Sequence, residues 1–463
     1  MVGRRNDFTP HALWPIAAGW QRRRFPGLRI VILTVVACGS FVRLRAAAPA
    51  PARSELRGRH PNILLILADD VGREVLGCYG GQSYHTPHLD ALAASGLRFE
   101  HAYAMPVCHP TRVCLMTGRY PFQLGNPRWG TFPKQAEKEA LGHVMKRAGY
   151  RTAIAGKWQL TLLRRDPQHP FRLGFDEYCL FGWHEGPRYY RPLIYQNGRI
   201  RNDVADRYGP DVYVEFLTDF IARDDPRPFF ALYSMALCHD VTDDLNEPVP
   251  FGPRGRYDNY AEMVHAMDER VGRLMAFLDR KGLADDTLVL FTADNGTPSG
   301  TYITVRDGKL VREPVFSRIG GRRIRGGKGR LTDWGTRVPL IAVWPGVIRP
   351  GTVTQALVDM SDYLPTFAEL GGLRVQRTGH SFVPVLTDPR TSARKWVFAE
   401  HGGRAFVRDR RWKLYSDGKL FDLAADPEER HPCTPPDSSA EAAAARTRLA
   451  NVFAELAYKA RSR

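Results

Sequence analysis

The stretch with the most chemical potential in this 463-residue chain is Cys108-His109-Pro110-Thr111-Arg112, followed by Thr117-Gly118-Arg119. Pro110 suits the first turn of a helix, where its missing N–H costs nothing. Cys108 then stands at the helix mouth, and Arg112 lies one turn down the same face. Free backbone N–H groups and the positive end of the helix dipole make such a mouth an anion site. Arg112 adds a planar fork that matches an oxyanion. Taken alone, Cys108 reads as a buried thiol ahead of an ordinary helix.

Hard oxygen donors occur in two places. Asp69 and Asp70 repel one another, and a cation between them resolves the repulsion. Asp294 and Asn295 supply oxygens suited to Ca²⁺ or Mg²⁺, with Gly296 permitting the turn. Alone, each is also a common acidic turn. Their setting distinguishes them, because each follows a six-residue apolar run, 63–68 and 288–293. Further runs at 151–155, 229–233 and 340–344 alternate with helical patterns. This alternation predicts an α/β fold with a large, mostly parallel sheet flanked by helices. Ligands of open α/β sheets collect at the carboxyl ends of the strands.

The other strand ends carry useful groups. The run at 151–155 leads to Gly156-Lys157-Trp158-Gln159, with residues 157 and 159 on one side if the chain stays extended. The run at 229–233 leads to His239-Asp240. Tyr257 to Lys281 predicts an amphipathic helix stopped by Gly282. Residues 298–327 are rich in Gly and Arg and read as a loop, either solvated or a mobile lid delivering Lys328. Trp183, His184, Tyr189 and Tyr190 offer rings for stacking or packing. Short runs at 396–399, 405–408 and 412–415 predict a small antiparallel sheet, followed by a helix near 440–460.

Taken together, these pieces resemble the sulfatase family, of the alkaline-phosphatase-like fold. The resemblance spans about residues 61–430. It rests on the Asp-Asp pair, C-x-P-x-R…T-G-R, G-K-W, D-N-G, G-K-G…T-R-V-P-L-I…W-P-G and the Lys413-Leu414-Tyr415…Leu420-Phe421-Asp422-Leu423 segment. It implies that Cys108 is oxidised by a formylglycine-generating maturation enzyme to an aldehyde whose hydrate attacks the sulfur of a sulfate monoester. Its second hydroxyl then expels sulfate. The resemblance further implies Ca²⁺, with Mg²⁺ second, on Asp69, Asp70, Asp294, Asn295 and the formylglycine at 108. It places Arg112, Lys157 and Lys328 on the sulfuryl oxygens and the hydrated aldehyde, and His239 on the departing oxygen. The chain departs from the family pattern at Thr111, usually serine, at Gln159, usually histidine, and after His239, where a proline is common.

The family resemblance leaves the substrate open among carbohydrate and aryl sulfates. A phosphonate monoester or phosphodiester hydrolase on the same site, and a non-catalytic binder of sulfated glycans, are the alternatives.

Residues 1–59 read as an export leader and linker, with Arg22-Arg23-Arg24-Phe25, an apolar run from Ile30 to Val42 and Ala46-Ala47-Ala48. The RRxF pattern suggests twin-arginine export, and Val35-Val36-Ala37-Cys38-Gly39 resembles a lipoprotein box. The expectation is an exported protein that is periplasmic, secreted or lipid-anchored, with membrane anchoring through the leader as one form. The leader accounts for +9 of the formal charge of +17, leaving +8 on a body whose basic balance favours anionic substrates. Nucleic acid is not expected, since no zinc-finger spacing or RNP-like motif accompanies the charge. Beyond the leader lie Cys78, Cys108, Cys114, Cys179, Cys238 and Cys433, with no CxxC pair. The expected division is 60–375 as catalytic domain and 376–463 as a C-terminal α+β subdomain.

Overall fold

Runs of aliphatic and aromatic residues with no polar alternation can pair only where both faces are covered, and here they build the centre of one sheet. The computed structural model describes residues 53–240, 257, 259–306, 309–434 and 439–460. The leader expected over 1–59 lies outside the described residues up to residue 52. Beyond it Leu56 is buried, and the backbone N–H groups of Gly58 and His60 donate to Glu369 and Leu370 carbonyls at 3.2 Å.

The first strands are β1 (Asn62–Ala68), β2 (Leu97–Tyr103), β3 (Arg151–Trp158), β4 (Glu177–Gly182), β5 (Ile194–Gln196), β6 (Arg199–Ile200), β7 (Phe229–Ser234) and β8 (Thr287–Ala293). At the heart of the sheet they lie in the order β8-β1-β7-β3-β4, all parallel. Every residue of β3, β7 and β8 is buried. Leu340–Val343 pairs antiparallel with both β8 and β2, and Thr352–Asp359 lies parallel to β2. The large sheet is therefore mostly parallel with an antiparallel margin.

The long helix runs from Tyr260 to Arg280, starting later than the Tyr257 expected from the sequence. Asn259 sets the boundary, because its side chain accepts from the Glu262 backbone N–H at 3.2 Å as an N-cap. The Gly- and Arg-rich segment differs more. It is paired as two hairpins, Thr301–Arg306 with Lys309–Glu313 and Phe316–Ile319 with Arg322–Arg325. Ser317 and Ile324 are buried while Arg318, Arg323 and Arg325 are exposed, a period of two hidden beneath the arginine content. Gly320 and Gly321, at φ 54° and 74°, make the tight turn between the last two strands.

The small antiparallel sheet contains Val397–His401, Arg404–Arg408, Trp412–Tyr415 and Leu420–Asp422, and helix Ala440–Glu455 follows it. Lys413 ties this sheet to the loop after Lys328. Its ammonium donates to the Leu331 carbonyl at 2.5 Å and to Glu429 Oε1 at 2.7 Å. Arg408 donates to both oxygens of Asp333 at 2.7 and 2.8 Å. Among the described residues no helix is long and apolar enough to cross a membrane.

Gly156 is where β3 tolerates least change. Its φ is +100°, and an added Cβ would stand 2.0 Å from the Ser234 carbonyl oxygen on β7. Strain at positive φ and a backbone collision act together, so Gly156→Ala is expected to destabilise the protein by about 2–4 kcal/mol. Urea unfolding of the purified variant checks this; an unchanged midpoint would contradict it.

Candidate active site

The register levels the carboxyl ends of four neighbouring strands. Ala68 pairs with Ala293, while Leu67 and Gly156 both pair with Ser234. Asp69-Asp70, Asp294-Asn295, Lys157 and the segment leading to His239 thus leave the sheet along one edge. The turns lock to each other. Asp294 N–H donates to the Ala68 carbonyl at 3.0 Å, and Asp69 N–H to the Leu237 carbonyl at 2.8 Å. Asp70 adopts φ 61°, a conformation that Asp accepts more readily than most residues, and its N–H reaches Asp294 Oδ1 at 3.2 Å.

The helix Cys108–Thr117 follows β2 and aims its N-terminus at this edge. The Cys108 thiol lies 3.4 Å from Asp69 Oδ1 and 3.7 Å from Asp70 Oδ1. Burial and then the charges of Asp294 and Asp69 push this thiol well above its ordinary pKa, so it is neutral. Thr111 keeps a hydroxyl at this position and donates it to the Asp294 carbonyl at 2.6 Å. Arg112 turns its fork on Asp294, with Nε and Nη2 donating to Oδ2 at 3.0 and 2.7 Å, while Nη1 donates to Ser234 Oγ. Gly118, at φ 65°, ends the helix as a left-handed cap.

Two lysines complete the ring. Lys157 Nζ donates to Asp69 Oδ2 at 2.5 Å, and Lys328 Nζ to Asp70 at 2.7 Å. Lys328 is delivered by Gly327-Lys328-Gly329, whose backbone N–H groups at 328 and 329 donate to the Thr297 and Pro106 carbonyls. The Lys328 side chain is 23% exposed, against 0% for Lys157 and 4% for Arg112, so it faces the entrance. Burial raises the Asp69 carboxyl, but Lys157, His239, Arg112 and Lys328 outweigh burial and hold it far below the usual range. Asp294 moves the other way, raised by burial and then by the charge of Asp69.

Asp69, Asp70, Cys108 and Asp294 each offer an atom, and these atoms all lie within 4.8 Å of one another. All are buried, as is Asn295, whose Oδ1 finds no hydrogen-bond partner among the described residues while its Nδ2 donates to Asp70 Oδ1 at 2.8 Å. A buried amide oxygen without a donor beside three carboxylates is a donor set that fits a hard dication.

His239, Asp69 and Cys108 also come within 4.8 Å of one another. His239 Nδ1 lies 3.1 Å from Arg188 Nη1, from the Asp240 carbonyl and from the Asp240 carboxylate. Trp183 packs edge-on against the His239 ring, 4.8 Å between centroids, and carries Lys157 Nζ 4.5 Å from its own centroid. Tyr189, by contrast, is fully buried and spends its hydroxyl on the Ala236 and His239 carbonyls at 2.7 Å. Gln159 is buried just past β3, and its Oε1 also finds no hydrogen-bond partner among the described residues.

Sequence reasoning passed over Ser234 and Arg188. Ser234 Oγ accepts from Arg112 and donates to the Lys157 carbonyl at 2.7 Å. As the first polar residue after the β7 apolar run, it carried the same strand-end signal as Asp69. Arg188 lies between β4 and β5 in a loop without a motif, and nothing in the sequence marked it.

With this geometry in view, the relatives are informative. Residues 61–373 match the Sulfatase family model. Steryl-sulfatase of Mus musculus is 29% identical over 89% of this chain and 84% of its own. Arylsulfatase A of Homo sapiens is 32% identical over 80% of this chain and 78% of its own. The solved structure of Ps i-CgsB in complex with k-i-k-neocarrahexaose superposes with a TM-score of 0.68 at 26% identity, covering 87% of this chain and 94% of that one. The chain belongs to the sulfatase family, has the alkaline-phosphatase-like fold, and is a hydrolase of sulfate monoesters.

Proposed function

We propose that the chain works as a formylglycine-dependent sulfatase, matured at Cys108 and holding Ca²⁺ on Asp69, Asp70, Asp294, Asn295 and residue 108. The observation that carries this reading is the gathering of Asp69, Asp70, Cys108 and Asp294 within 4.8 Å. When present, the dication supplies charge neutralisation and acidifies the nucleophile. Formylglycine supplies a hydrated aldehyde with a second hydroxyl, which a serine lacks.

The chain's own residues divide the remaining work. Lys157, paired with Asp69, and Lys328, paired with Asp70, meet the negative oxygens of the sulfuryl group and stabilise the charge that builds on them. Arg112 spends its fork on Asp294, so it acts first by fixing that carboxylate. His239 gives a proton to the departing oxygen, its Nδ1 standing 3.1 Å from both the Asp240 carboxylate and Arg188 Nη1. Gln159 orients an oxygen but cannot take a proton in the working range.

The substrate reading is a sulfated carbohydrate or aryl sulfate, in line with the named relatives. Residues 376–463 form a subdomain that braces the Lys328 loop through Lys413 and Arg408; the family match ends at residue 373. Export by the leader, with or without an anchor, and maturation by a formylglycine-generating enzyme complete the reading.

Protein co-produced with that maturation enzyme is expected to carry an aldehyde at residue 108. Mass spectrometry of the Cys108–Arg112 peptide and its hydrazide adduct reads this directly, alongside sulfate release from 4-nitrophenyl sulfate. Full activity with an unmodified thiol would overturn the mechanism.

Asp294→Asn is expected to remove Ca²⁺ binding at concentrations that saturate the parent, because it deletes a charged ligand. It also leaves Arg112 buried without its partner, a cost of about 3–5 kcal/mol. Calorimetric titration with Ca²⁺ on folded protein separates the two effects, and undiminished binding would refute the ligand assignment.

Gln159→Ala is expected to lose about tenfold in rate, the worth of a neutral hydrogen bond. His239→Ala is expected to lose roughly 10²–10⁴-fold on an alkyl sulfate and much less on a nitrophenyl sulfate, whose leaving group needs no proton. Equal losses on the two esters would remove His239 from the acid role.

A further inference from the structure

Beside the Cys108 helix lies an open cleft of about 650 Å³ that the catalytic groups do not use. It starts at Val107 and His109, either side of Cys108, and ends at the turn 401–403 and the chain segment 457–460. Its volume falls in the usual range of ligand clefts, roughly 300–1,000 Å³. Trp129 stands in its wall, 44% exposed. Its indole is held by Trp183 and His184, both at 5.1 Å between centroids and tilted at 63° and 51°, so neither covers it face to face. Trp183 in turn touches both His239 and Lys157. An exposed aromatic ring is thus one ring removed from His239, which meets the leaving oxygen, and from Lys157, which meets the sulfuryl group.

We propose that this cleft is the leaving-group subsite, and that it takes a sulfated oligosaccharide whose neighbouring pyranose ring stacks on Trp129. This rests on the sulfatase reading and extends it to a substrate class. The apolar face of a pyranose suits an indole, while its hydroxyls need partners around the rim. The rim supplies them in His401, the Gly402-Gly403 backbone, Asn126 and the exposed ammonium of Lys459. A steroid skeleton has few groups to pair with that rim, which works against it here. Lys459 suits a sulfate or carboxylate on the next ring of an anionic glycan.

The test compares matured enzyme and its Trp129→Ala, Trp129→Phe and Lys459→Gln variants. Substrates are 4-nitrophenyl sulfate and sulfated oligosaccharides of one, two and four residues from carrageenan and chondroitin sulfate. The parent enzyme should gain in kcat/KM with chain length. Trp129→Ala should lose about tenfold more on the longest effective oligosaccharide than on the aryl ester, chiefly through KM, and Trp129→Phe should recover most of it. Lys459→Gln should cost severalfold only where the neighbouring ring is anionic. No gain with length, or the same loss on every substrate, overturns the subsite and leaves the sulfatase reading standing. If no substrate releases sulfate, that reading fails, and the cleft is judged by quenching of indole fluorescence with the same oligosaccharides. Quenching abolished in Trp129→Ala supports the subsite; its persistence, or no quenching of the parent, overturns it.

Discussion

The structure depends on holding Asp69, Asp70 and Asp294 together in a place where almost no water reaches them. The exposure of these carboxylates is 0%, 2% and 0%. Burying an ion costs several kcal/mol, and attraction repays that only when partners are close and well aimed. Lys157, Lys328 and Arg112 supply that compensation, each within 2.7 Å of a different carboxylate. Formally the cluster is neutral before any metal enters. Adding a dication would leave it net positive, and a sulfate ester carries a negative charge. Near balance would then become attraction for substrate.

Such a cluster needs a scaffold that cannot relax. Five parallel strands give it one, because turns at their ends are tied to neighbouring chain, as Asp294 is to Ala68 at the end of β1 and Asp69 to Leu237 beyond β7. The cations arrive by different routes. Lys157 comes from a strand, Arg112 from a helix and Lys328 from a loop. The loop is the weakest mount, and the C-terminal sheet compensates by gripping it through Lys413 at Leu331 and Arg408 at Asp333. Lys413 is itself fully buried, and burial draws its pKa down, so its own charge depends on Glu429 and Asp333. The small sheet thereby reaches the active site through backbone geometry.

What the sequence made legible follows from this arrangement. A buried strand is an apolar run, and the polar residue that ends it is conspicuous; Asp69, Lys157 and Asp294 all stood out that way. The parallel sheet was readable for the same reason. The hairpins at 301–325 were not, because arginines on the exposed side masked the alternation that pairs Phe316–Ile319 with Arg322–Arg325. Arg188 was not legible either. Its position against His239 depends on the path of a loop between β4 and β5, and no local pattern encodes where such a loop returns. Trp129 illustrates the same limit, since only tertiary structure shows that an isolated tryptophan stands next to Trp183.

These two kinds of residue separate the constant part of the chemistry from the variable part. A sulfuryl group presents the same oxygens whatever it is attached to, so the groups facing it gather at one edge of the sheet and are locked by mutual charge. Changing any one leaves a partner ion buried and unpaired, and stability as well as rate is lost. The leaving group varies in size, polarity and charge. Its surroundings here are Trp129, the 401–403 turn and the 457–460 segment, which carry none of the buried ion pairs. Substitution there alters contacts to the leaving group without unbalancing the charge cluster. The fold thus permits new substrates at its rim while forbidding change at its centre, and both properties trace to the depth at which the carboxylates are held.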